Sequence, residues 1–146
     1  MSGSGNKSLV QTIVPIIGAF YVTIGIIGFF VTGFSNFVQN TDDKLIGFSI
    51  NPFHNLVHLA IGAFLIIMAL NKSKAVGEGA TMGVGLFYIV AFVIGVYSSD
   101  NLTIISMQGS GDLENFNHIV NGIALLTIGL LSSGQTQTQM KRQGLA

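Results

Sequence analysis

Only six basic and six acidic side chains serve a chain of 146 residues, 8% of the total, whereas soluble proteins carry about 25% charged residues. Apolar residues reach 49% and the formal net charge is zero, so the chain cannot coat a soluble surface and offers nucleic acid no basic footprint. The absence of cysteine excludes a disulfide framework, a thiolate nucleophile and a cysteine metal site, and leaves the redox compartment unread.

Four apolar segments follow one another. The first, residues 10–34, exceeds the roughly 20 residues that a helix needs to cross the hydrocarbon core. Lys7 precedes it as in a signal peptide, but the run is too long and lacks a small-x-small cleavage site, so it reads as a retained helix. Segments 53–70 and 80–97 are adequate spans. The fourth, 116–131, is short, because its strictly apolar part, 119–131, is interrupted by Asn121. To span, it must take in the polar turn around Asn115 and His118 or sit in a thinned bilayer. The segments are apolar all round, which suits lipid and not a soluble bundle. Residues 135–146 form a polar tail expected to fray. The chain therefore reads as an all-α membrane protein, a single transmembrane domain over residues 1–146.

Basic residues set the expected topology. Lys7, Lys72, Lys74, Lys141 and Arg142 fall on one side; Lys44 lies on the other with Asp42, Asp43, Asp100, Asp112 and Glu114. The positive-inside rule makes the lysine-rich side, with both termini, cytoplasmic. The first and third connections then face the periplasm or lumen, with the lipid bilayer as the immediate partner.

The sequence also repeats. Gly18-Ala19-Phe20-Tyr21 matches Gly85-Leu86-Phe87-Tyr88, and extension to Ile27-Gly28 and Ile94-Gly95 gives five identities in eleven positions. Asn55, His58, Gly62 and Leu65 match Asn115, His118, Gly122 and Leu125, at an offset of 60 against 67 for the first pair of helices. This predicts a four-transmembrane-helix bundle built from two parallel two-helix repeats, 10–70 and 80–131, about a pseudo-two-fold axis along the membrane normal.

Positions i−3, i and i+4 share a helix face, so Asn55, His58 and Gly62 form one stripe and Asn115, His118 and Gly122 another. His54 lies one turn before His58, and Glu114 takes the matching place before His118. If the axis brings helices 2 and 4 together, His54, His58, Glu114 and His118 converge on a site suited to zinc or another divalent cation. Alternatively, the gap over Gly62 and Gly122 admits a tetrapyrrole, heme or chlorophyll, with His58 and His118 as axial ligands and Asn55 and Asn115 beside it. Proton handling by the histidines is a third option. The plainer account is structural: Asn51, Asn55, Asp112 or Asn115 capping helices, Pro52 in a first turn, and the glycines permitting close crossings. Tyr21 and Tyr88 are expected to hydrogen-bond across the bundle.

With its Asn-x-x-His-x-x-x-Gly stretch opening helix 2 and echoed in helix 4, the chain resembles a bacterial family of small uncharacterised membrane proteins, domain-of-unknown-function family 4383, over residues 10–131. The resemblance is sharpest across residues 51–62 and implies an integral membrane protein without supplying an activity. Three functional readings stand. The favoured one is a structural or accessory subunit, a homo-oligomer or part of a larger membrane complex, assembling through glycine-bearing helix faces without catalytic machinery. The second is a heme- or chlorophyll-binding subunit of an electron-transfer or photosynthetic membrane. The third is a metal- or proton-handling enzyme or transporter using the His/Glu/Asn cluster, against which stands the lack of charge within the helices.

Overall fold

Ser8 starts the first helix with a reciprocal cap: its Oγ accepts from the Gln11 amide at 3.2 Å, while Gln11 Oε1 accepts from the Ser8 amide at 3.0 Å. In the computed structural model, which describes residues 7–71, 73–97, 103–107 and 109–145, this helix, α1, spans Leu9–Thr32. A two-residue strand β1 (Lys44–Leu45) pairs antiparallel with β2 (Phe48–Ser49), and α2 (Pro52–Ala69), α3 (Lys74–Tyr97), a 3₁₀ turn (Thr103–Ile105) and α4 (Leu113–Arg142) complete the chain. All four helices are long and apolar enough to cross a membrane. Asn51 caps α2 through the His54 amide at 2.8 Å with Pro52 in the first turn, and Asp112 caps α4 through the Glu114 amide at 2.9 Å. Asn55 and Asn115 lie inside their helices and cap neither.

Two elements outrun their apolar stretches. α4 starts at Leu113 and continues beyond residue 131 to Arg142, so it is not short, and the tail expected to fray is helical up to that residue. Lys141 and Arg142 occupy its last turn, where cations oppose the helix dipole. α3 begins at Lys74 instead of residue 80, which draws Glu78 into the bundle. Hydropathy marks the hydrocarbon-facing part of a helix, and backbone hydrogen bonding carries the helix further. Lys72 and Asp100, two of the residues used for topology, lie outside the described residues.

α1 packs antiparallel along α2, and α3 along α4, through glycines at which backbones touch. A Cβ on Gly62 would stand 2.6 Å from Gly18 O, and one on Gly122 3.0 Å from Gly85 O. In a bilayer lipid is as apolar as leucine, so such close packing holds helices together where water would have driven burial. Val10, Val14, Leu65, Val84 and Leu125 form the inner core with Tyr21 and Tyr88, while Phe30, Ile67, Leu86 and Ile123 face outward. Positions separated by 67 or 60 residues make matching contacts. The Tyr21 and His58 rings lie 5.5 Å apart at 42°, and those of Tyr88 and His118 5.6 Å apart at 40°.

The backbones of α2 and α4, whose approach was the condition for a convergent site, do not adjoin; they occupy opposite corners, with no Cα pair within 8 Å among the described residues. Tyr21 and Tyr88, with ring centroids 5.9 Å apart, fill the other diagonal, and α2 and α4 meet through long side chains alone. The connections close over this end. Ile46 and Gly47, both at positive φ (55° and 88°), turn the β hairpin. Asn51 Nδ2 donates to Gln39 O and Ile104 O, and the Thr41 amide to Ser106 Oγ, which stitches the two connections together.

Gly62→Val is expected to lower stability in detergent by about 1–3 kcal/mol through overpacking, read as a lower melting temperature of the helical circular dichroism signal. Gly134→Ala in α4, where an added methyl meets open space, is expected to raise it by about 0.5–1 kcal/mol.

Candidate functional site

Two i, i+4 pairs face each other across the wide diagonal. His54 and His58 stack on α2 with ring centroids 4.7 Å apart, and their Nε2 atoms lie 3.0 Å apart, so one ring donates to the other. On α4, His118 Nε2 stands 3.8 Å from Glu114 Oε2. One ligand atom each from His54, Glu114 and His118 falls within 4.8 Å of the other two, and His58 stands directly behind His54. All four residues are buried: Glu114 is 1% exposed and His58, the most open, 6%. The Nδ1 atoms of His58 and His118 have no hydrogen-bond partner among the described residues.

Three polar groups extend the cluster from Glu114 toward α1. The Tyr21 hydroxyl donates to Asn121 Oδ1 at 2.6 Å, Asn121 Nδ2 to Asn117 Oδ1 at 2.7 Å, and Asn117 Nδ2 to Glu114 Oε2 at 3.2 Å. Tyr21 thus makes the cross-bundle hydrogen bond its burial calls for. Asn117 and Asn121 were missed as site residues, although Glu114, Asn117 and Asn121 have the i, i+3, i+7 spacing of one helix face.

Asn55, Asn115, Gly62 and Gly122 serve other contacts. Asn55 Nδ2 donates to Thr32 Oγ1 at 2.9 Å, with its side chain against Gly28; Asn115 Nδ2 donates to Gly109 O and Ser110 O, both at 3.1 Å, with its side chain against Gly95. The space over Gly62 is taken by Gly18 and Val22, and that over Gly122 by Gly85 and Ile89. These glycines therefore lend no support to a tetrapyrrole slot.

Acidic side chains do lie inside the helices, contrary to expectation. Besides Glu114, Glu78 on α3 is 3% exposed, and its Oε1 accepts from Ser132 Oγ at 2.9 Å and Thr136 Oγ1 at 2.7 Å on α4. Ser132 Oγ in turn accepts from the Val10 amide at 3.3 Å, tying α1 to the same point. The i, i+4 spacing of Ser132 and Thr136 was the available signal, but an apolar run opening at residue 80 excluded Glu78.

Two cavities flank the cluster. One, about 280 Å³, lies between α1 and α4 with Tyr21, His58, Glu114, Asn117 and Asn121 in its wall; the other, about 190 Å³, lies between α2 and α3 and touches His54, His58, Tyr88 and His118. Both fall below the roughly 300 Å³ at which sites for drug-sized ligands begin. Zinc binds imidazole and carboxylate at about 2.0–2.2 Å, so tetrahedral ligand atoms stand roughly 3.3–3.5 Å apart. The three candidate ligands would have to close by about an ångström, within reach of side-chain rotation.

The family model described as Domain of unknown function (DUF4383) matches residues 11–131. The chain belongs to this family. The DUF4383 match takes in both His-bearing stretches and Glu114, and ends before Ser132 and Thr136. No curated protein and no solved structure matches the chain.

Glu78→Ala leaves two hydroxyls without their acceptor and is expected to cost about 1–3 kcal/mol. Glu78→Gln keeps an acceptor oxygen, so thermal unfolding in detergent should rank the alanine variant below the glutamine variant, and that below the wild type.

Proposed function

We propose that this protein binds a divalent transition-metal ion within the membrane, between α2 and α4, through His54, Glu114 and His118, with His58 supporting His54 or completing the set. The observation that carries this is the convergence of two imidazoles and a carboxylate, all buried, with one ligand atom each inside 4.8 Å. Nitrogen and carboxylate donors in this ratio suit zinc and its first-row neighbours. Asn117 holds the carboxylate from behind, as outer-shell hydrogen bonds commonly do at metal sites. A bound ion would supply Lewis acidity and fixed positive charge at this point; the chain's own residues orient the ligands and keep bulk water away.

The same reading places the protein in a bacterial inner or thylakoid membrane. Lys7, Lys74, Lys141 and Arg142 cluster at the termini end, so the positive-inside rule puts that end in the cytoplasm and the histidines toward the periplasm or lumen. The matching contacts of the two halves support descent from one duplicated helix pair.

Assembly is the second reading, and one observation favours it. The glycines at the α1–α2 and α3–α4 crossings are used within the chain, but Gly79 and Gly83 on α3 are exposed with nothing within 4 Å of an added Cβ. Their four-residue spacing is that of helix dimers in membranes. Gly83→Leu is expected to abolish a homodimer captured by cross-linking in native membranes; an unchanged cross-linking pattern would set this reading aside.

The metal test is direct. Detergent-purified protein stripped with EDTA should bind one equivalent of Co²⁺ and show visible absorption bands of a four-coordinate nitrogen–oxygen site. The His54→Ala/His118→Ala variant, checked for intact helix content, should bind at least about tenfold more weakly, a loss of roughly 1.4 kcal/mol or more. Equal uptake by the two proteins would overturn the proposal.

A further inference from the structure

The cavity between α1 and α4 differs in chemistry from its counterpart. Phe20, Tyr21 and Ile24 line the first, and Phe87, Tyr88 and Ala91, each 67 residues later, line the second. Across from them the two diverge. Where the α1–α4 cavity has Asn117, the equivalent residue on α2 is Val57; where it has Asn121, the equivalent is Ile61. At this depth one half of the bundle carries two aliphatic side chains and the other two amides. Asn121 lies eight residues into α4, roughly 12 Å along the helix at 1.5 Å per residue. Amides that deep in hydrocarbon need partners.

The hydrogen bonds among these groups use up donors faster than acceptors. The Tyr21 hydrogen goes to Asn121 Oδ1; both Asn121 Nδ2 hydrogens go to Asn117, to its backbone oxygen at 2.8 Å and its side-chain oxygen at 2.7 Å; Asn117 Nδ2 gives one to Glu114. Lone pairs remain on the Tyr21 oxygen, on Asn117 Oδ1 and on the carboxylate. One Asn117 Nδ2 hydrogen is left against these lone pairs, so the wall has acceptors in excess and suits a guest that brings a donor. A carboxylate in the wall also disfavours an anionic head group.

The mouth points to where the guest comes from. Among the lining residues Ile46 of the β hairpin is 81% exposed, Phe20 58% and Val120 47%, so the cavity opens where the hairpin meets the outer faces of α1 and α4, at the edge of the hydrocarbon. A space of about 280 Å³ equals roughly nine water volumes at about 30 Å³ each. That holds a head group and the first carbons of a chain, with the rest lying outward past Phe20 and Val120.

We infer that the α1–α4 cavity is a binding site for a membrane-soluble hydroxyl compound, a long-chain alcohol whose O–H donates to the acceptors beside Glu114 and whose tail leaves between Phe20 and Val120. This goes beyond the metal reading and stands without it, although Glu114 borders both.

The probe is a hexadecanol carrying a diazirine near its hydroxyl end and a terminal alkyne, photolysed with EDTA-treated protein in phosphatidylcholine vesicles. Labelling is expected to saturate, to map by mass spectrometry to α1 near Phe20 and to α4 near Val120, and to be competed by plain hexadecanol. The methyl ether of the same probe, which has no donor, should label at least about fivefold less, the loss expected for one hydrogen bond of about 1 kcal/mol. Val120→Trp, at the exposed rim, should block labelling with the fold intact. Asn117→Val with Asn121→Ile, which puts on α4 the residues found at the equivalent positions of α2, should remove the preference for alcohol over ether. Unsaturable labelling equal to that of outward-facing Leu86 and Val90 on α3 would overturn the proposal, as would equal labelling by alcohol and ether. The His54→Ala/His118→Ala variant should still be labelled, so failure of the metal site and failure of the alcohol site register separately.

Discussion

Backbone contact at two pairs of glycines sets the rest of the arrangement. Gly18 against Gly62 and Gly85 against Gly122 let α1 close on α2 and α3 on α4 to a distance that no side chain would permit. With the helix pairs locked, rotation about each axis is fixed, and the residues one turn from the glycines are committed to the interior. His58 and His118 stand one turn before Gly62 and Gly122, and Tyr21 and Tyr88 one turn after Gly18 and Gly85, so the crossings turn imidazoles and phenols inward together. Asn55 and Asn115 lean on Gly28 and Gly95 and tie the helix ends to the connections, which keeps the rotation from slipping.

Lipid supplies no hydrogen bonds, so polar groups brought inside must satisfy one another. Hydrogen-bonded groups do this at both ends, with His58 Nδ1 and His118 Nδ1 left without a partner among the described residues. At the connection end, Tyr21, Asn121, Asn117 and Glu114 form a directed chain that ends at the histidines. At the termini end, Glu78 gathers hydroxyls from two residues of α4. Along α4, Leu125 stands midway between His118 and Ser132, and with Val14, Leu65 and Val84 it forms an apolar waist between the two polar groups. The chemistry is thereby confined to one end, where the stitched connections cover it.

The near symmetry of the halves makes their departures informative. Glu114 takes the place of His54 and supplies the one carboxylate among three imidazoles. Asn117 and Asn121 take the places of Val57 and Ile61 and add two amides to the wall of the α1–α4 cavity. Both departures fall on α4, so a single helix provides the groups that distinguish this end of the bundle from a packing arrangement.

Membrane-spanning character and the four helices were legible in the sequence, because hydropathy depends on local composition alone. Helix ends were not: α3 and α4 continue past their apolar runs, since a helix needs hydrogen-bonded backbone, and polar side chains such as Glu78 persist where a partner helix answers them. The inward stripes were likewise readable, but not which helices adjoin. A period of 3.6 residues places His54, His58, Glu114 and His118 on faces of α2 and α4; only the glycine crossings, set by atoms far apart in the chain, decided that these faces meet across a diagonal through side chains, leaving a cavity on either side.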